Sequence, residues 1–136
     1  MSSPPHSAPS ATWRPDSGAS LCDVQFDKAS LQCDLDPEVG GTGLPSAHDL
    51  LDAALAACTT LTLQLYLKRK GWTIEELRVE VTHQKVGAVY QMLRNITITG
   101  ALDSEQQASV LRIADACPVH KTLMGEIAIN TVFDQH

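Results

Sequence analysis

The longest hydrophobic pattern in the chain runs from Ser46 to Gly71. There Leu50, Leu51, Ala53, Ala54, Leu55, Ala56, Ala57, Leu61, Leu63, Leu65 and Leu67 cover nearly the whole helical circumference. A helix that is apolar on every side predicts burial on every side. Ser46 and Asp49 make a capping pair at its start, each side chain accepting an otherwise unpaired backbone N–H. Asp49 and Asp52 stand near the first turns and Lys68, Arg69 and Lys70 in the last, the order the helix dipole favours, and Gly71 supplies a left-handed end. A membrane span competes for such a segment. Asp52, Gln64 and several threonines interrupt it, however, and leave an apolar core short of the roughly 20 residues a bilayer requires. A small domain buries only about 60–70% of its surface, so a second subunit is the expected cover for this helix.

On either side of the helix the period changes to two. Leu21 to Phe26 and Ala29 to Leu35 read as short strands joined around Asp27 and Lys28. Asp36 to Pro45, with Gly40, Gly41 and Gly43, reads as a loop. It lacks the Lys-Ser/Thr of a phosphate cradle, so its glycines predict tight turns and close backbone packing. After the helix, Leu77, Val79 and Val81 alternate with polar residues, as do Met92, Ile96 and Ile98, which predicts two half-buried antiparallel strands connected through Gly87 to Tyr90. Arg94 falls on the inward face of the second strand, either as an internal charge or as a side chain snorkelling to water from a strand end. Asp103 and Gln106 cap a second helix that leads to Cys117. Pro118 ends that helix and starts a short one to Met124, with Cys117 at its N-cap. Ile127, Ile129 and Phe133 predict a last strand. Residues 1–19, rich in Pro and Ser, predict a disordered tail, and 20–136 a single α+β domain.

Composition narrows the function classes. The net charge of −6, with no long basic cluster, argues against nucleic acid as a partner. Met1 to Ser20 carries no apolar run, so neither a secretory signal nor an anchor is expected, and the expected location is cytoplasmic, with no membrane partner. In that compartment Cys22, Cys33, Cys58 and Cys117 are kept reduced unless chemistry oxidises them. Cys58 alone reads as a small buried hydrophobe. Cys117, at a proline-initiated helix start with His120 one turn on, is a favourable place for a thiolate. If the two thiols meet, a thiolate can attack a peroxide and its sulfenic acid can condense with the second thiol to a disulfide.

The segments SAHDLLDAALAACTTLTLQLYLKRKGW and ITITGALDSEQQASVLRIADACPVHKTL resemble the OsmC/Ohr family of thiol-dependent hydroperoxide peroxidases, from about Gly40 to the C-terminus. The resemblance implies an OsmC-like fold with antiparallel sheets around the long helix, an intertwined homodimer, no cofactor and no metal. It also implies Cys58 as the peroxidatic thiol, Cys117 as the resolving thiol, an organic hydroperoxide substrate and a thiol or dithiol reductant. The family places a glutamate about ten residues before the first cysteine, paired with an arginine. This chain has His48 and Asp49 there, and Arg14 and Arg94 as the arginine candidates, with His120 as a further supporting group. Local physics points the other way on roles, because a helix N-cap makes Cys117 the more acidic thiol while Cys58 in mid-helix needs a nearby cation. Two rival readings use the same residues. One is a zinc site of Cys58, Cys117, His120 and His48, and the other a non-enzymatic dimer that binds a small apolar molecule between its long helices.

Overall fold

The early alternating segments pair as their period predicts. In the computed structural model, which describes residues 8–136, β1 (Ser10–Thr12), β2 (Cys22–Gln25) and β3 (Ser30–Cys33) form an antiparallel sheet in that order. Strand β1 corrects the expectation of a loose tail over residues 1–19. Ser10, Ala11 and Thr12 pair with Gln25, Val24 and Asp23, so backbone pairing orders a segment whose composition offers no core. Residues 1–7 of that expected tail lie outside the described residues. The chain divides after Leu51 into two units.

In the first unit a buried carboxylate holds the glycine loop. Asp34 accepts hydrogen bonds from Ser20 Oγ at 2.6 Å, Thr42 Oγ1 at 2.7 Å and the backbone N–H groups of Leu35 and Thr42 at 2.8 and 3.0 Å. These bonds, the Ser20 hydroxyl first, hold its carboxyl down at about 2 against an ordinary 3.8. Inside the loop Gly41 lies against the Leu35 carbonyl so closely that a Cβ there would stand 1.6 Å from the oxygen, the close backbone packing expected in this loop, while Gly40 and Gly43 take left-handed turn geometry (φ +106 and +92). The loop leads into α1 (Ala47–Lys70), whose start is capped as predicted: Asp49 N–H donates to Ser46 Oγ and Ser46 N–H to the Asp49 carboxylate.

The second unit packs one stripe of α1 against a hairpin. The helix ends at Gly71 (φ +71), with Gly71 N–H bonding Lys68 O and Trp72 N–H bonding Leu67 O, a left-handed stop that only glycine adopts without strain. Strands β4 (Glu76–Val86) and β5 (Val89–Thr99) pair along their full length around a two-residue turn, Gly87–Ala88, which is shorter than the expected connection. Helices α2 (Ser104–Ala114) and α3 (Pro118–Met124) follow, and Asp103 and Gln106 form the predicted capping box.

Asp52, Leu55, Thr59, Leu63 and Leu67 recur at three- and four-residue spacing and are the buried positions of α1. Leu63 and Leu67 form the core with Val110, packed by Leu77, Ile96, Ile98 and Ile113. Truncating the fully buried Leu63 to alanine would cost about 2–5 kcal/mol. At the other end of the stripe Asp52 accepts a hydrogen bond from Tyr90 OH at 2.9 Å and is paired with His83 Nδ1. The His83 and Tyr90 rings stack 5.0 Å apart, so the tip of the hairpin is tied to the helix by a buried carboxylate rather than by apolar contact.

The single chain leaves one face of the helix open, the face for which a second subunit was expected to be the cover: Leu61 and Leu65 are 59% and 57% exposed there. One expectation is corrected. Ile127, Ile129 and Phe133 form no strand among the described residues; the segment after Met124 has no regular structure and these side chains face solvent, because none of the described strands pairs with it.

Because the folded state holds the Asp34 carboxyl below its unfolded value, its contribution to stability is complete above about pH 4 and is lost as pH falls through about 2. Asp34→Asn should therefore lower the denaturation midpoint at neutral pH and flatten the wild-type loss of stability between about pH 4 and 2, as read from urea unfolding across that range. An unchanged acid profile would show that this carboxylate does not organise the loop.

Candidate functional site

The second unit brings together a small set of polar side chains under β5, between α1 and the α2–α3 junction. Pro118 cannot continue α2 and pushes Cys117 out of helical geometry, so Cys117 becomes the N-cap of α3, where the His120 N–H donates to its Sγ at 3.5 Å. Cys58 on α1 and Cys117 meet by a hydrogen bond between their thiols. Burial pushes the Cys117 thiol up. Hydrogen bonds from Cys58, the His120 N–H, the Thr59 side chain and the Val119 N–H outweigh it and hold Cys117 below its ordinary value.

Access divides the two differently. Cys117 is fully buried, whereas Cys58 is half-buried at the border of the open face of α1, on the same arc as Ala54, Leu61 and Leu65.

Arg94 organises the rest. It sits in mid-strand, opposite Val81, with its side chain only 14% exposed, so it does not snorkel to water. Its Nη1 donates to Thr59 Oγ1 at 3.1 Å and to the Ala114 carbonyl at 3.2 Å, and its Nη2 to Asp115 Oδ1 at 2.9 Å. Thr59 is itself hydrogen-bonded to Cys117, which puts the guanidinium charge one hydroxyl away from the sulfur. The His120 ring lies with its Nε2 4.0 Å from the same Asp115 oxygen, so imidazole and guanidinium share one exposed carboxylate.

The structure thus brings Cys58, Cys117, Arg94 and His120 into one site, and it adds Thr59 and Asp115, which sequence reasoning missed. Thr59 was legible only as a hydroxyl beside Cys58 in an apolar run. Asp115 was legible only as the acid two residues before the Cys-Pro step. Asp49 is engaged as the α1 cap, His48 is exposed in the first turn, and Arg14 is exposed beside the 3-10 turn of Pro15–Ser17. Among the described residues, Cys58, Cys117 and His120 do not bring three ligand atoms within reach of one ion.

Comparison with known proteins agrees with this architecture. The OsmC-like protein family model matches residues 40–132, and the chain belongs to that family. Among solved structures it superimposes on a Psychrobacter arcticus protein named for osmotic stress induction and a detoxification response (TM-score 0.74, 20% identity, 90% of this chain and 91% of that one). It is also similar to an OsmC-like protein of Mycoplasma pneumoniae (0.67, 21%, 87% and 86%). An organic hydroperoxide resistance protein, OsmC, of Legionella pneumophila gives 0.66 at 17% identity, over 92% and 93%. Comparison with curated proteins gives no match. The α+β fold is therefore OsmC-like, and α1, long and apolar enough to cross a membrane by length and composition, is the core helix of that fold.

Arg94→Ala would strand the Thr59 and Ala114 acceptors, at a cost of about 1–3 kcal/mol in stability, and would remove the cation behind Cys117. Alkylation rate against pH should then show the Cys117 thiol raised. Thr59→Val should raise it too while Thr59→Ser does not, and a profile indifferent to all three would disconnect Arg94 from the thiol.

Proposed function

We propose that the chain is a cysteine-dependent peroxidase that reduces organic hydroperoxides in oxidative stress defence, with Cys58 as the attacking thiol and Cys117 as the resolving one. The observation that carries the assignment is the split between access and stabilisation: Cys58 is half-buried on the open face of α1 and Cys117 is fully buried behind it, yet the two are hydrogen-bonded. A peroxide approaching from solvent reaches Cys58 first.

With Cys117 as the ionised member of the pair, Cys58 passes its proton to the Cys117 thiolate it already bonds and attacks one peroxide oxygen. The O–O bond breaks, Cys58 becomes a sulfenic acid, and the alkoxide leaves, taking that proton back from Cys117 as the alcohol forms. Cys117, again a thiolate beside Thr59 and the His120 N–H, attacks the Cys58 sulfur. Hydroxide departs with a solvent proton as water, and the disulfide remains. A thiol or dithiol reductant restores both thiols by exchange. The preference for organic over hydrogen peroxide follows from the apolar surface beside Cys58, where each buried methylene of the substrate contributes about 0.8 kcal/mol.

Residues 20–136 act in this reading as one OsmC-like domain of a cytoplasmic homodimer. The uncovered face of α1 and the exposed Ile127, Ile129 and Phe133 are more apolar surface than a lone chain leaves to water, and a second copy intertwined with the first covers both. A non-enzymatic apolar-ligand module has one observation in its favour, a cavity of about 450 Å³ lined by Ile96, Ile98, Leu102, Val110 and Leu111; neither thiol lines it.

With cumene hydroperoxide, Cys117→Ser should accumulate a sulfenate on Cys58 that a dimedone-type reagent traps, while Cys58→Ser should leave the Cys117 thiol unoxidised and unlabelled. Reaction and trapping at Cys117 in the Cys58→Ser protein would reverse the roles. Absence of any Cys58–Cys117 disulfide in peroxide-treated wild type would end the peroxidase reading and leave the ligand module. Sedimentation at micromolar concentration should show a dimer, and a stable monomer there would refute the assembly.

A further inference from the structure

Two thiols take no part in the chemistry above. Cys22 on β2 and Cys33 on β3 stand directly opposite each other in the hairpin register, so their side chains share one face of the sheet. Opposed residues of either antiparallel pair type have Cα atoms about 4.5–5.5 Å apart, inside the roughly 4.4–6.8 Å that a disulfide spans. Both are free thiols here.

Their surroundings differ in a way that assigns roles. Cys33 is buried, and burial first, then the neighbouring Cys22 and Asp49, push its thiol up, which keeps it protonated and slow toward oxidants. Cys22 is only half-buried and is the sulfur an oxidant can reach. An accessible thiol with a protected thiol opposite it is the arrangement in which a sulfenic acid ends as a disulfide and not as a sulfinic acid.

We propose that Cys22 and Cys33 form a second dithiol–disulfide couple, chemically independent of Cys58 and Cys117, that hydroperoxide oxidises and that locks the β2–β3 hairpin. The Cys22 thiolate attacks one oxygen of the hydroperoxide, the O–O bond breaks, and the alkoxide leaves and takes a proton from solvent to become the alcohol. The Cys33 sulfur then attacks the Cys22 sulfenic acid; its proton goes to the departing hydroxide, which leaves as water. One S–S bond replaces two S–H bonds, the peroxide takes up the two electrons, and an external thiol reverses the step by exchange.

The test uses the Cys58→Ser/Cys117→Ser protein, in which Cys22 and Cys33 are the remaining thiols. It is treated with excess cumene hydroperoxide, alkylated and digested with trypsin. Lys28 lies between the two cysteines, so a bridge links the peptide ending at Lys28 to the one beginning at Ala29. Expected is the loss of both alkylatable thiols and a linked peptide that separates on reduction. In the same background Cys33→Ser should instead trap a sulfenate on Cys22. Wild-type protein, cut also after acidic residues to separate Cys33 from Cys58, should give the same link, which guards against a variant that does not fold. Retention of both thiols in the wild-type map, sulfinic acid on Cys22 with Cys33 still free, or links formed only between chains would each overturn the proposal. None of these outcomes bears on whether Cys58 and Cys117 turn over peroxide.

Discussion

A guanidinium charge placed under a sheet has to find acceptors there, and the second unit is built around satisfying Arg94. Leaving such a charge unpaired costs several kcal/mol, so the groups that meet it are held firmly in place. Those groups come from three directions: the Thr59 hydroxyl from α1, the Ala114 carbonyl from the end of α2 and the Asp115 carboxylate just beyond it. Fixing Ala114 and Asp115 fixes the approach to Cys117, since Pro118 leaves the chain no other way out of the helix. Fixing Thr59 fixes its neighbour Cys58. One buried cation thus sets the spacing of two sulfurs without touching either.

That arrangement separates two properties a single thiol rarely combines. Stabilising a thiolate takes N–H donors and a nearby cation, which come with burial at a helix start; meeting a substrate takes exposure. Cys117 has the donors and is fully buried, while Cys58 has the exposure and no free N–H donors of its own, since mid-helix amides bond backward along the chain. The hydrogen bond between them lets one sulfur hold charge for the other. In the proposed mechanism Cys117 therefore serves twice, as the base that frees Cys58 and as the nucleophile that closes the disulfide.

Much of this was legible in the sequence where local rules govern. The α1 boundaries, both capping boxes, the β2–β3 and β4–β5 pairings and the Cys117 N-cap follow from capping residues, period-two alternation and a proline, and the structure has each of them. Arg94 was legible as an inward residue from its parity with Ile96 and Ile98, but its partners were not, because they are distant in sequence and one is a backbone carbonyl. Asp52 misled for a related reason. On the chain it reads as a first-turn charge favoured by the helix dipole, whereas in the fold it is buried under Tyr90 and His83, which alternation alone could not single out from other strand positions. Strand β1 was missed because edge pairing needs backbone and not apolar side chains.

The C-terminal segment and the second face of α1 fail the single chain in the same manner, and for one reason. Ile127, Ile129 and Phe133 alternate well enough for a strand, and Leu61 and Leu65 are as apolar as the buried Leu63 and Leu67, yet in one chain they have nothing to pack against. A pattern in sequence states what a segment requires and not which molecule supplies it. Cys58 lies at the border of that same uncovered arc, so in the proposed dimer whatever closes over Leu61 and Leu65 also forms a wall beside the attacking sulfur. Assembly of that proposed dimer would then do more than remove apolar surface from water: it would make the dry, alkyl-lined pocket that the proposed preference for a large organic peroxide requires. On this argument the substrate preference belongs to the dimer, while the thiol–thiol bond, the Arg94 network and the acidity of Cys117 already belong to the single chain.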